Sequence, residues 1–201
     1  MCERTQAAQG AVCGVRLLDR AVGYALTAVQ GITPRMFARR TPCAAWDLEM
    51  LVLHLADSLA ALHEGMAAGR VGTAPGPVEP SGDPVSALRV RAVRLLRASA
   101  ALGAVAVEDR RLAGEMLTGA GAIEVAVHGW DIAQATGDAR PIPPVLAGDL
   151  LAVCPLVLPD PPRRPLFADP VEPAPGAGPG DRLVAHLGRR PPGVRSGEPP
   201  R

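Results

Sequence analysis

Glu124-Val125-Ala126-Val127-His128-Gly129-Trp130-Asp131 sets three polar side chains able to bind metal into an otherwise apolar segment. On an α-helix, residues three and four apart share a face. Glu124, His128 and Asp131 therefore form one stripe, flanked by the hydrocarbon of Ile123, Val127 and Ile132. A carboxylate among such neighbours is costly to desolvate unless something neutralises it. A divalent cation would do so, and Glu with His at helical spacing is half of a ligand set for one. The bland alternative is a Glu–His hydrogen bond lining a bundle, with no metal. Gly129 favours the metal: glycine inside a helix costs about 1 kcal/mol relative to alanine, which the close approach of another group would justify.

Working outward, 201 residues suffice for one sizeable core. Hydrophobic residues make up 48% and aromatic residues 2%, so the core is built from Ala, Leu and Val, which favours packed helices. A net charge of +1 gives no electrostatic footprint for nucleic acid or an anionic membrane. There is no apolar run of membrane-spanning length. Glu3 and Arg4 ahead of a polar stretch do not read as a secretory signal, so a cytoplasmic location is expected. Every basic residue is arginine, which excludes Schiff-base and phosphate-loop lysine chemistry. Cys2, Cys13, Cys43 and Cys154 never stand at C-x-x-C spacing and read as reduced, mostly buried thiols. Cys43, just ahead of the second helix, is the candidate for a thiol beside the metal.

Val15, Leu18, Val22, Leu26 and Val29 predict a first helix over about 11–31, with Tyr24 on its flank in a packing role. A second helix is expected from Asp47 to Ala68, with Asp47 and Glu49 suiting the dipole of its first turn. Leu51, Leu55, Leu59 and Leu62 mark its buried side. His54 shares that side, either as a hydrogen-bonded core residue or as a ligand, while His63 reads as solvated. Residues 70–84 hold enough Gly and Pro to predict a connection without regular structure. A third helix follows from Val85 to about Ala101, with Leu88, Val93, Leu95, Leu96 and Leu102 apolar. Its Arg89, Arg91, Arg94 and Arg97 read as a solvated face, unless one enters the pocket to hold a substrate carboxylate. Residues 103–115, with a valine run, are ambiguous. The fourth helix runs from Thr118 to Thr136 and is stopped by Gly137. Residues 145–157 suit a fifth helix, Leu166–Phe167 a short strand, and Asp181–Leu187 a last helix with His186 exposed.

The economical architecture is an all-α four-helix bundle with a following helix over 1–157, a short proline-rich extension over 158–188, and a disordered tail over 189–201. His54 from the second helix, with Glu124 and His128 from the fourth, would give two nitrogens and one oxygen. That set leaves a coordination position open, as catalytic zinc sites do.

Two segments also resemble a known family. Thr41-Pro-Cys-Ala-Ala-Trp-Asp-Leu-Glu-Met-Leu-Val-Leu-His54 is similar to the T-P-C-x-x-W-x-x-x-x-L-V-x-H segment of the DinB-like, mycothiol-dependent maleylpyruvate isomerase superfamily. Glu124 to Gly137 resembles its E-x-x-x-H-G-W-D-L-A-x-A-T-G signature, and Phe167 to Gly188 resembles the close of its short metal-binding members. The first segment departs from the common pattern at Ala44, Ala45 and Leu53, where Pro, Gly and Asn are frequent. The resemblance implies a DinB-like four-helix bundle holding zinc or another divalent metal on His54, Glu124 and His128. It also implies mycothiol as thiol cosubstrate.

The reading that follows is a metal-dependent mycothiol S-transferase or isomerase, a monomer or homodimer, whose partners are a small-molecule thiol and a small electrophilic substrate. Asp131 is its candidate catalytic residue, orienting a ligand imidazole or accepting a proton, against a surface or helix-local hydrogen bond. Metal-bound water acting in hydrolysis is a variant of this chemistry. The competing readings are a non-catalytic metal- or ligand-binding bundle and a plain structural bundle.

Overall fold

The computed structural model describes residues 2–43, 46–68, 70–71, 82–98, 104–107, 110–158 and 168–191. Helices α1 (Cys2–Ala28), α2 (Leu48–Ala68), α3 (Pro84–Arg97) and α4 (Gly114–Thr136) form the expected all-α four-helix bundle. Helix α1 packs chiefly on α4, and α2 lies between α3 and α4. Helix α5 (Pro144–Val157) packs on α4 and α1, and α6 (Pro179–His186) packs on α5. Among the described residues, no helix is long and apolar enough to cross a membrane.

Helix α4 is buried on nearly every side: Ala122, Ile123, Val125, Ala126, Val127, Trp130, Ile132 and Ala133 all belong to the core. A helix apolar all round must lie at the centre of its neighbours. Three glycines let those neighbours approach. A Cβ on Gly119 would stand 2.7 Å from Val153 of α5, and one on Gly121 2.5 Å from Leu62 of α2. One on Gly129 would stand 3.1 Å from the Cα of Ala25 in α1; the close approach expected there is helix packing, so this glycine gives the metal reading no support. That neighbour is backbone and cannot rotate away. Gly129→Val should therefore cost about 1–3 kcal/mol by overpacking, in spite of the gain over glycine in helix propensity. Urea unfolding checks this, and an unchanged midpoint would contradict it.

Helix ends follow the sequence closely. Asp47 caps α2, accepting a hydrogen bond from the Met50 N–H at 2.9 Å. Asp83 caps α3 through the N–H groups of Val85 and Ser86. Gly137 ends α4 at a φ of 84°, a conformation that favours glycine. The Arg39 guanidinium donates to the last carbonyls of α4, at 2.9 Å to Thr136 and 3.3 Å to Ala135.

Several expectations are corrected. Helix α1 begins at Cys2, well before Ala11. Its first turns are rich in Glu, Gln and Ala, which favour helix without an apolar stripe to announce it. Arg70 and Val71, placed by sequence in an irregular connection, form strand β1. The ambiguous valine run is β2 (Ala104–Val107), parallel to β1 and antiparallel to β3 (Arg110–Ala113). This small sheet sits beside the bundle's α2 and α4. Val93 and Leu96 of α3 are exposed, 41% each, because Leu88, Ala92 and Leu95 already fill the face toward the bundle. Arg89, Arg94 and Arg97 are exposed, as a solvated face requires, whereas Arg91 is half-buried and pairs with Asp57 of α2. His63 and His186 are half-buried rather than solvated. Leu102, the strand expected at Leu166–Phe167 and residues 192–201 lie outside the described residues.

Candidate metal centre

Helical spacing places Glu124 and His128 one turn apart on α4, and α2 brings His54 against them. His54 Nε2 stands 2.8 Å from Glu124 Oε1, and His128 Nε2 stands 3.2 Å from the same oxygen. One donor atom from each residue lies within 4.8 Å of the others, the set of donors a divalent ion takes. Ser58, one turn beyond His54, donates to Glu124 Oε1 at 3.3 Å. The floor and mouth of the cluster differ. The His128 side chain is 7% exposed, whereas those of His54 and Glu124 are 35% and 33% exposed, so the donors open to solvent on the α2 side.

Asp131, the third member of the stripe, is fully buried, which rules out the surface reading of it. It lies 3.0 Å from Nδ1 of His128, on the far side of that ring from Glu124. With carboxylates at both ring nitrogens, His128 has its pKa raised to about 9: burial lowers it, and the bonds to Asp131 and Glu124 outweigh burial. Burial likewise pushes the Glu124 carboxyl up, but hydrogen bonds from His128 and His54 hold it well below the usual carboxylate range. The signs fix a pH window for the metal-free protein. A raised imidazole pKa stabilises fully below about 6.5 and is lost as pH climbs through about 9. A lowered carboxyl pKa stabilises above its unfolded value, about 4.3, and is lost on acidification. Urea midpoints measured in chelator should therefore be highest between about pH 5 and 6.5 and fall toward pH 10.

Trp46 roofs the cluster, its ring 4.3 Å from that of His54 and 5.8 Å from that of His128. The loop that carries it is fastened by a bridge between Arg40 and Asp47 and by the Thr41 hydroxyl, which lies 2.8 Å from the Trp46 carbonyl. Cys43 is half-buried in this loop. Burial raises its pKa against the lowering pull of Arg189, so the thiol stays protonated at neutral pH; it is not one of the converging donors. Sequence reasoning thus named His54, Glu124, His128 and Asp131, which the fold brings together, and missed Ser58, Trp46 and Arg189. The i, i+4 spacing of His54 and Ser58 was a usable signal for Ser58.

Arg189 is the largest surprise. Assigned by sequence to a disordered tail, it donates to Asp131, Nη2 to Oδ2 at 2.9 Å and Nε to Oδ1 at 3.4 Å. No local pattern announced a contact across 58 positions.

Residues 18–133 match the family model described as mycothiol maleylpyruvate isomerase N-terminal domain. The chain belongs to this family. The matched stretch is more than half of the chain; it spans the C-terminal part of α1, all of α2 and α3, and α4 through Ala133, and takes in His54, Glu124, His128 and Asp131. The all-α bundle is accordingly a DinB-like one, of the mycothiol maleylpyruvate isomerase type in its N-terminal domain. No curated protein and no solved structure matches the chain.

Proposed function

We propose that this DinB-like protein is a metal-dependent enzyme that uses a low-molecular-weight thiol, mycothiol, in S-transfer to or isomerisation of a small electrophilic substrate. The observation that carries the reading is the convergence of His54, Glu124 and His128 on one point, in a chain of a mycothiol-linked family. The donor set fits a divalent cation. Two imidazole nitrogens and a carboxylate oxygen suit zinc foremost, though other first-row ions take the same ligands. When bound, such a cation is a Lewis acid that holds a coordinated thiol as thiolate.

The chain's own residues supply the rest. With a cation bound, Asp131 would keep the Nδ1 proton of His128, so that Nε2 could serve as the ligand nitrogen. Ser58 steadies the Glu124 carboxylate, and the Trp46 ring keeps water from one side of the imidazoles. The exposed edges of His54 and Glu124 are where thiol and substrate would arrive. There the thiolate would add to one carbon of an activated double bond, whose π pair moves onto the adjoining carbonyl; proton uptake from solvent completes transfer, whereas rotation about the new single bond and re-expulsion of the thiolate restore the double bond in isomerisation.

The test is elemental analysis of protein purified without chelator, followed by incubation of the loaded protein with mycothiol and a panel of electrophiles. Stoichiometric metal and a turnover abolished in Glu124→Ala are expected. Metal without turnover across a broad panel would favour the non-catalytic binder, and no metal at all would end both readings.

A further inference from the structure

We propose that Arg189 is a positioning residue of the metal centre, so that the turn after α6 completes a site the bundle alone leaves unfinished. The proposal rests on the metal-binding reading above and extends it to the C-terminal segment, beyond the family match, which ends at residue 133.

The placement of Arg189 is built into the fold. Helix α6 closes in a Schellman turn: the Gly188 N–H donates to Ala185 O at 3.0 Å, and the Arg189 N–H to Val184 O at 2.9 Å. Gly188 carries the left-handed φ of 78° that this turn needs, and a Cβ there would stand 2.5 Å from Ala168 and 2.9 Å from the Asp169 carbonyl. The turn thus fixes where the Arg189 side chain leaves the backbone. Its guanidinium then spends all three nitrogens on the protein: Nη1 on Leu187 O at 3.0 Å, Nη2 and Nε on the two oxygens of Asp131.

Contact with both carboxylate oxygens sets the plane of Asp131, which a single ammonium could not do. Asp131 Oδ2, held 2.9 Å from Arg189, is also the oxygen 3.0 Å from His128 Nδ1. The order Arg189–Asp131–His128 therefore holds the ring with Nδ1 on Asp131 and Nε2 toward Glu124, and in the zinc-loaded protein would keep the remaining ring proton on Nδ1. The Arg189 side chain is only 15% exposed, which suits a support that stays in place rather than a charge awaiting substrate.

Full-length Arg189→Met and Arg189→Lys, each compared with the parent chain, test this by two readouts. One is zinc affinity by competition with a chromophoric chelator at fixed pH. The other is the nitrogen-15 spectrum of the His128 ring in zinc-loaded protein. Loss of the arginine should weaken zinc binding about 10- to 100-fold, the usual effect of removing a support behind a ligand. It should also speed exchange of the His128 Nδ1 proton with water about tenfold or more, and lysine should restore part of both. Zinc affinity in Arg189→Met within about twofold of the parent, with an unchanged His128 spectrum, overturns the proposal and leaves the metal centre standing. A parent chain that takes up no zinc overturns the metal reading and this one with it. Should Arg189→Met fail to fold, Arg189→Lys decides alone: affinity equal to the parent's rejects the fork, and a loss of severalfold or more supports it.

Discussion

Glu124→Ala should remove the chain's capacity to bind a divalent metal, and with it all metal-dependent stabilisation. Glu124 is the residue both imidazoles face, at 2.8 Å from His54 and 3.2 Å from His128, and it supplies the cluster's negative charge. Without it two imidazoles remain and no anionic donor faces the ion, a poorer match for a cation. A ligand that binds only the folded state adds about 4 kcal/mol when present at about 1,000 times its Kd. The parent should gain about that much in urea unfolding on addition of zinc, and Glu124→Ala should gain nothing. Taking the difference with and without metal matters, because the substitution also strips the imidazoles and Ser58 of a shared acceptor. A variant that still gains stability from zinc would place the ion elsewhere.

Asp131→Ala carries the second large effect, and it appears even without metal. The carboxylate is fully buried, and the guanidinium it faces has a side chain 15% exposed. Breaking a buried ion pair by removing one partner costs about 3–5 kcal/mol, most of it from the charge left behind. The remedy follows from the same physics: Asp131→Leu combined with Arg189→Met removes both charges and should recover much of the loss. Denaturant unfolding in chelator measures all the variants. A cost below about 1 kcal/mol for Asp131→Ala would mean that water reaches the pair and that the buried geometry is not kept in solution.

Much of the centre could be read before the fold, for a local reason. Glu124, His128 and Asp131 are related by helix geometry alone, so once α4 was identified their shared face followed. His54 required one further step, that α2 lies beside α4, which the apolar stripe of Leu51, Leu55 and Leu59 supports. Arg189 required a Schellman turn, a helix docked on α5 and a reach across 58 positions, and none of these leaves a periodic trace. The proline- and glycine-rich run over 189–201 instead pointed to disorder, although Gly188, just ahead of it, is what holds the arginine in place. Trp46 stood in a recognised segment, but its position over the imidazoles depends on the fold of the Arg40–Asp47 loop. The strands escaped for the opposite reason: two- and four-residue runs are too short for alternation to separate them from helix or coil.

The three glycine contacts along α4 bear on how the centre would answer a change of ion. With α5, α2 and α1 seated against Gly119, Gly121 and Gly129, this central rod has little room to turn or slide. Glu124 and His128 travel with it, so the span between them is close to a constant of the backbone. An ion of larger or smaller radius must then be accommodated mainly from the opposite wall, by movement of the His54 ring beneath Trp46. Swapping zinc for cadmium should accordingly disturb the resonances of His54 and Trp46 more than those of the α4 pair.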